Sequence, residues 1–430
     1  MPVKFKFTSS YVFRIDTSAY GIGKFLLFLI LFMERNPLLA AINVIQWPLL
    51  GMLTIYFIYE LVLSKKIVSN KFFWWISIFS IMSSFSLFWA YDSARTVRDI
   101  IFLIKIVIII SFALYTIIRE KSIEHILDCI IIATVINELI ILPQVLGLGA
   151  GTYRQRIYIG GVYFSANTIG PDIAFATLLL FFRVMQSKHY QKINMLIILF
   201  NFFVILKLGS RSSLMVLVLG MLLNALNTST TKKIRNLLMM AIAVILLGVV
   251  IINIPSLYNT IGNRIEDILG FFGNNKNLDS YNLQSDNLQS DNLRYNLLRD
   301  GIEMFLKKPI LGYGSGNFSS VNLFYNNDAH YAHNNYVELL VNMGIVGLFL
   351  FYSLHISILF SLKGRVNNKR LDKFGKELVL CMLLLDVMYV SYNVLNCTLI
   401  LMIAYLCCKI KLNTEKGDSK SLMLNKGGIL

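Results

Sequence analysis

Apolar runs long enough to cross a hydrocarbon core recur along almost the whole chain, and this limits the fold more than any other feature. Inside lipid, every backbone N–H and C=O must be satisfied within the segment, so runs of about 17–25 apolar residues become helices. Of the 430 residues, 56% are hydrophobic and only 15% are charged. A soluble domain would carry roughly 25% charged residues. Twelve spans are expected, at 18–35, 38–63, 72–90, 99–118, 124–146, 162–183, 192–208, 211–227, 234–253, 336–360, 376–391 and 393–409. The predicted class is an all-α polytopic membrane protein with about twelve transmembrane helices and one large extracytoplasmic loop.

Net charge is +16. The N-terminus, the loops near 65–71, 119–121, 183–192, 232–235 and 363–376, and the tail from Lys409 hold 26 Lys and Arg, against 13 on the opposite side. Positive charge stays in the cytoplasm on short loops, so both termini are expected there. The chain then divides into an N-terminal bundle of about nine spans (1–253), an outward loop (254–335), about three C-terminal spans (336–410) and a cytoplasmic tail (411–430). The basic excess is thereby explained without nucleic acid. Cys129, Cys381, Cys397, Cys407 and Cys408 fall within or at the ends of spans and lack metal-ligand spacing, so neither a disulfide framework nor a cysteine metal site is expected. The first apolar run follows Lys4, Lys6 and Arg14 and leads into further spans, not to a small-residue cleavage site, so no cleavable signal peptide is expected.

The outward loop contains a short repeat, Asn282-Leu-Gln-Ser-Asp286 then Asn287-Leu-Gln-Ser-Asp291, whose polar composition suggests a flexible insertion. From 293 to 308 the pattern changes. Leu293, Leu297, Ile302 and Phe305 recur at near-helical spacing between Arg294, Arg299 and Glu303, which predicts an amphipathic helix. Pro309 ends it, and Gly312-Tyr-Gly314-Ser-Gly316 reads as a tight turn back to the bundle.

His330, His333, Asn334, Tyr336 and Glu338 collect where this loop enters the next span. An imidazole at the aqueous end of a span can accept a proton near neutral pH, which makes His333 the candidate catalytic group; the alternative is a histidine that only caps the helix. His330 and His333 have the spacing of a metal pair, but no further ligand stands at a suitable spacing, so no metal is assigned. Arg211 follows Gly209-Ser210 in a very short turn on the same side, Arg294 and Arg299 lie on the surface helix, and Arg154 and Arg156 lie between two spans. Guanidinium groups from separate segments suit a diphosphate, although contact with lipid headgroups accounts for them equally simply. Lys105, Glu138, Asp172 and Asp386 fall inside spans. Such charges would serve a transporter; otherwise they pair, Lys105 with Asp172 or Asp386.

His333-Asn334-x-Tyr336-Val337 followed by Gly344-Ile-Val-Gly347 resembles the signature of the O-antigen ligase and polymerase (Wzy-like) superfamily. Pro309-Ile-Leu-Gly312-Tyr-Gly314-Ser-Gly316-Asn317-Phe318 resembles its loop sequence, Arg294 its loop arginine, Gly209-Ser210-Arg211-Ser212 its Ser-Arg turn, and Tyr163-Phe-Ser-Ala-Asn167 a further family stretch. Two departures stand out: Asn342 where the family often has an acid, and Leu298 where it often has Trp. The resemblance implies a GT-C-like membrane glycosyltransferase at the bacterial plasma membrane, with an undecaprenyl-diphosphate-linked oligosaccharide as donor and no cofactor. In it His333 would be the catalytic base and Arg211, Arg294 and Arg299 the diphosphate ligands, with His330, Asn334, Tyr336 and Asn167 in support. The implied product is a surface polysaccharide made by a polymerase; the alternatives are a ligase to a lipid A core and, from another class, a flippase. The lipid bilayer and the pathway's flippase and chain-length regulator are the expected partners.

Overall fold

The computed structural model describes residues 19–36, 43–64, 70–120, 122–147, 157–159, 162–186, 191–227, 286–361 and 369–409. Their helices are α1 (Ala19–Arg35), α2 (Asn43–Ser64), α3 (Lys71–Phe85, continued by a 3-10 turn Ser86–Trp89), α4 (Ser93–Glu120), α5 (Glu124–Gly147), α6 (Ala166–Gln186), α7 (Gln191–Leu208), α8 (Arg211–Leu226), α9 (Asp286–Lys307), α10 (Phe318–Asn326), α11 (Asn335–Leu359), α12 (Lys369–Asp386) and α13 (Leu395–Lys409). Among the described residues six helices are long and apolar enough to cross a membrane: Ile45–Leu63, Lys71–Trp89, Ser93–Glu120, Glu124–Leu146, Ala166–Val184 and Asn335–Leu359. Arg211–Leu226 and Leu395–Cys408 are shorter apolar helices. The protein is therefore a helical, multi-pass membrane protein. The expected span 234–253 and residues 282–285 of the first copy of the repeat lie outside the described residues, as do Arg154 and Arg156.

Several expectations are corrected by local chemistry. Val162–Phe164 is not helical: it pairs antiparallel with Ile157–Ile159, so the span expected from 162 begins at Ala166. The second copy of the repeat is not a flexible insertion, because α9 already begins at Asp286. Within that helix Leu293, Leu297 and Phe305 pack as expected, while Ile302 is exposed and Met304 is buried in its stead. The span expected from 376 starts at Lys369, where Leu371, Phe374 and Leu378 are buried at helical spacing and Lys376 pairs with Asp372 at 3.1 Å. Lys105 pairs with Glu34 at 2.8 Å, not with Asp172 or Asp386. Those two carboxylates accept hydrogen bonds from Asn396 and from Tyr352 and Ser391 respectively.

Polar contacts lock the two ends of the bundle separately. At one end Lys24 pairs with Glu120 (2.9 Å), Arg119 with Glu60, Arg183 with Glu124 and Asp128, and the Asn227 amide donates to Glu377. At the other end Tyr91 N–H donates to the Tyr313 carbonyl (2.8 Å), Asp92 N–H to the Asn317 side chain (2.7 Å), and Asn393 Nδ2 to Asp99 (2.7 Å). The second end carries the loop helices α9 and α10, and with them the candidate site.

Candidate active site

The segment entering α11 is fixed residue by residue. Asn334 is the N-cap: its side chain accepts from Val337 N–H (3.1 Å), and its amide donates to the Val387 carbonyl (3.1 Å). Glu338, one turn into the helix, reaches back to accept from Ala332 N–H (2.8 Å). His333 sits between these two clamps with φ of 52°, a left-handed conformation that costs a non-glycine residue energy and persists where neighbours hold it. Its ring lies 3.9 Å, centroid to centroid, from that of Tyr331. Asn335, fully buried, donates to Tyr352 and accepts from Ser391 and Tyr392 N–H, which fastens α11 to the connection between α12 and α13. Tyr336 donates to the Leu383 carbonyl and stacks on Tyr352.

The helix α11 breaks at Gly344 (φ 64°, ψ −166°), and the glycine-rich turn fills the break. Tyr313 and Gly314 N–H donate to the carbonyls of Val341 and Asn342 (2.9 and 2.8 Å), while Ile345 and Val346 N–H donate to Pro309 and Ile310 (2.9 and 3.4 Å). Backbone groups that a helix break would leave unsatisfied are thus paired with a loop. A Cβ at Gly344 would stand 2.2 Å from the Ile310 carbonyl oxygen, so only glycine permits this approach. A second fastening comes from Asn342, whose Oδ1 accepts from Phe318 N–H (2.7 Å) while its Nδ2 donates to Glu338 (3.2 Å) and Tyr392 (3.3 Å). An amide can donate to Glu338 where a second carboxylate would repel it, which accounts for this departure from the family pattern. Leu298, the other departure, is half-buried against the small core of Leu297, Phe318, Val337 and Val341.

Beside this segment lies a cavity of about 280 Å³ lined by Arg95, Arg98, Asp99, Phe102, Gly316, Tyr331, Glu338, Val390, Tyr392 and Asn393. Its floor is a hydrogen-bonded chain: Glu338 accepts from Asn342, which also donates to Tyr392, which donates to Asp99, which accepts further from Ser315 and Asn393. At its rim Arg95 donates to Ser319 and lies 3.6 Å from Asp92.

His333 packs on Tyr331, which lines this cavity, but none of His333, Arg211, Arg294 and Arg299 lines it. Half-buried Arg294 lies on α9, one turn before Leu297, which packs in the same core as Ala332 and Val337. Its helix therefore meets the His333 segment. Arg211 opens α8 after Gly209 (φ 61°) and Ser210, in the expected two-residue turn. That turn packs on α6, since a Cβ at Gly170 would clash with Ser210 and Ser213; nearby on α6, Asp172 accepts from Asn396. Arg299 is exposed and paired with Asp300 and Glu303 on its own helix. Asn167, in the first turn of α6, donates its N–H to the Ser165 hydroxyl. His330 is exposed, and its ring is bonded to Asp328. Burial acts to raise the Asp328 carboxyl, but the hydrogen bonds from His330 outweigh it and hold the carboxyl below its usual range. That contact is present above the ordinary carboxylate pKa of about 4 and lost as pH falls through the folded value. Among the described residues no group of three or more His, Cys, Asp or Glu is gathered as for a metal ion.

Arg95, Arg98 and Asp99 were not among the sequence candidates. The signal for them is a charged run at the mouth of a span, Asp92-Ser-Ala-Arg95-Thr-Val-Arg98-Asp99.

Residues 195–352 match the family model described as O-antigen ligase (Wzy_C). The match spans Arg211, Arg294, Arg299, His330, His333, Asn334 and Tyr336, and bears out the resemblance to the Wzy-like superfamily. Asn167 and the cavity residues on α4 and beyond Val387 fall outside it. No curated protein matches the chain.

Proposed function

We propose that this membrane protein of the O-antigen ligase and polymerase type is a polymerase, joining oligosaccharide units carried on undecaprenyl diphosphate at the outer face of the plasma membrane. The observation that carries the reading is the His333 clamp, together with the family match over the same segment. A left-handed histidine held by the N-cap on one side and a carboxylate on the other is a preorganised group at the aqueous mouth of a span. His333 takes the proton of the acceptor hydroxyl as its oxygen attacks the anomeric carbon. The bond from that carbon to the diphosphate oxygen breaks with inversion, and the polyprenyl diphosphate leaves. Arg294, on the helix packed against this segment, and Arg211, from the turn beyond α6, balance the charge that develops on the leaving group. Lipid diphosphate departs readily, so neither metal nor nucleotide is needed. Arg299, already paired with Asp300 and Glu303, has the weakest case of the three. Both termini lie in the cytoplasm in this reading, with α9 and α10 outside.

The test is reconstitution in liposomes with a defined lipid-diphosphate oligosaccharide. The wild-type protein is expected to give a ladder of products with or without chelator, and His333→Ala is expected to insert normally and give no ladder. Near-normal polymer from that variant removes His333 from the mechanism. The ligase character of the matched family favours a second reading, transfer to a lipid A core, which a single product on an added core acceptor would support.

A further inference from the structure

The cavity beside Tyr331 has a lining whose chemistry the transfer reaction does not account for. Phe102 and Tyr331 are exposed aromatic walls, suited to the apolar face of a sugar ring. Asp99, Glu338, Tyr392 and Asn393 form a polar floor of acceptors and donors, suited to hydroxyl groups. The two carboxylates there are already engaged by uncharged donors: Asp99 by Ser315, Tyr392 and Asn393, and Glu338 by Ala332 N–H and Asn342. Neither forms an ion pair with an arginine among the described residues. Arg95 is turned to Ser319 and Asp92, but Arg98, exposed at the rim, pairs with no carboxylate among the described residues. One guanidinium therefore faces the cavity without a carboxylate in direct contact among the described residues.

We propose that this cavity binds a sugar residue carrying an anionic substituent, a carboxylate or a phosphate, and that Arg98 is the partner of that anion. A guanidinium opposite a neutral hydroxyl makes an ordinary hydrogen bond, whereas opposite an oxyanion it makes charge-assisted, bidentate ones about twice as strong. The site thus selects acidic over neutral glycans. The proposal rests on the reading of the chain as an enzyme of lipid-linked glycans, and it names a property of the sugar that the family match leaves open.

The same anion chemistry could come from the lipid diphosphate, so the experiment carries both probes. Binding of methyl β-glucuronide, methyl β-glucoside and geranyl diphosphate is measured on the full-length protein in nanodiscs by saturation-transfer NMR. The wild-type protein is expected to prefer the glucuronide to the glucoside by about tenfold, as one charge-assisted contact gives. Arg98→Gln is expected to bring that ratio close to one without weakening the glucoside or geranyl diphosphate, and Arg98→Lys to keep part of the preference. No preference in the wild-type protein, binding of neither glycoside, or a preference that survives in Arg98→Gln overturns the proposal. So does a loss of geranyl diphosphate binding in Arg98→Gln with the glucuronide unaffected, since the guanidinium would then serve the lipid. His333→Ala is expected to leave all these ratios unchanged, which separates failure of selection from failure of transfer.

Discussion

The carboxylate of Glu338 holds the chain around His333 by accepting the Ala332 N–H, beside the packing of Ala332 on Val337 and Val341. Replacing it with Ala strands the Ala332 N–H and removes one of two acceptors from the Asn342 amide, at roughly 1–3 kcal/mol for an unsatisfied group of this kind. Glu338→Ala is therefore expected to lower the unfolding midpoint in detergent and to speed amide exchange at Ala332 and His333. Glu338→Gln keeps a carbonyl acceptor and is expected to do less. Unchanged exchange at these two residues in the alanine variant would show that the N-cap at Asn334 suffices. His333 itself was legible from the sequence, because its neighbours in the chain are also its partners in space. Asp99 was not: its partners Ser315 and Asn393 are 216 and 294 residues away.

The broken helix and its turn form one element, although they read in the sequence as a turn followed by an uninterrupted span. Hydropathy reports only that 336–360 is apolar, and an apolar run is the same whether straight or broken. The break shows instead in the glycines, Gly344 at the kink and Gly312 and Gly314 in the turn, all at positive φ. Gly344→Ala forces a Cβ against the Ile310 carbonyl and is expected to expel the turn. The loss should exceed a few kcal/mol, since backbone strain and four inter-segment hydrogen bonds are involved. Limited proteolysis reads it as new cleavage between 309 and 316; a variant as resistant as the parent would mean that α11 straightens without releasing the loop. Similar reasoning explains the early start of α12 at Lys369: its first turns are amphipathic, with Lys376 and Asp372 supplying polarity that a span search rejects.

At the scale of the whole molecule, every described tie at the end bearing Lys24, Arg119 and Arg183 involves segments whose loops carry the positive excess. The opposite end gathers the loop helices and the cavity. In the proposed orientation positive charge stays inside and the second end faces out. All five cysteines are buried, which leaves a quiet background for labelling. Ala329→Cys is expected to react with an impermeant maleimide on intact cells, and Lys192→Cys only after permeabilisation; the reverse pattern would put the site in the cytoplasm and end the proposal.

The hydrogen bond from Asn393 to Asp99 joins the mouth of an early span to the last connection between spans, 294 residues later. During synthesis Arg95, Arg98 and Asp99 therefore leave the ribosome well before Tyr392 and Asn393, the wall that completes their hollow. A nascent chain that has not yet delivered Tyr392 and Asn393 lacks the far wall of this chamber.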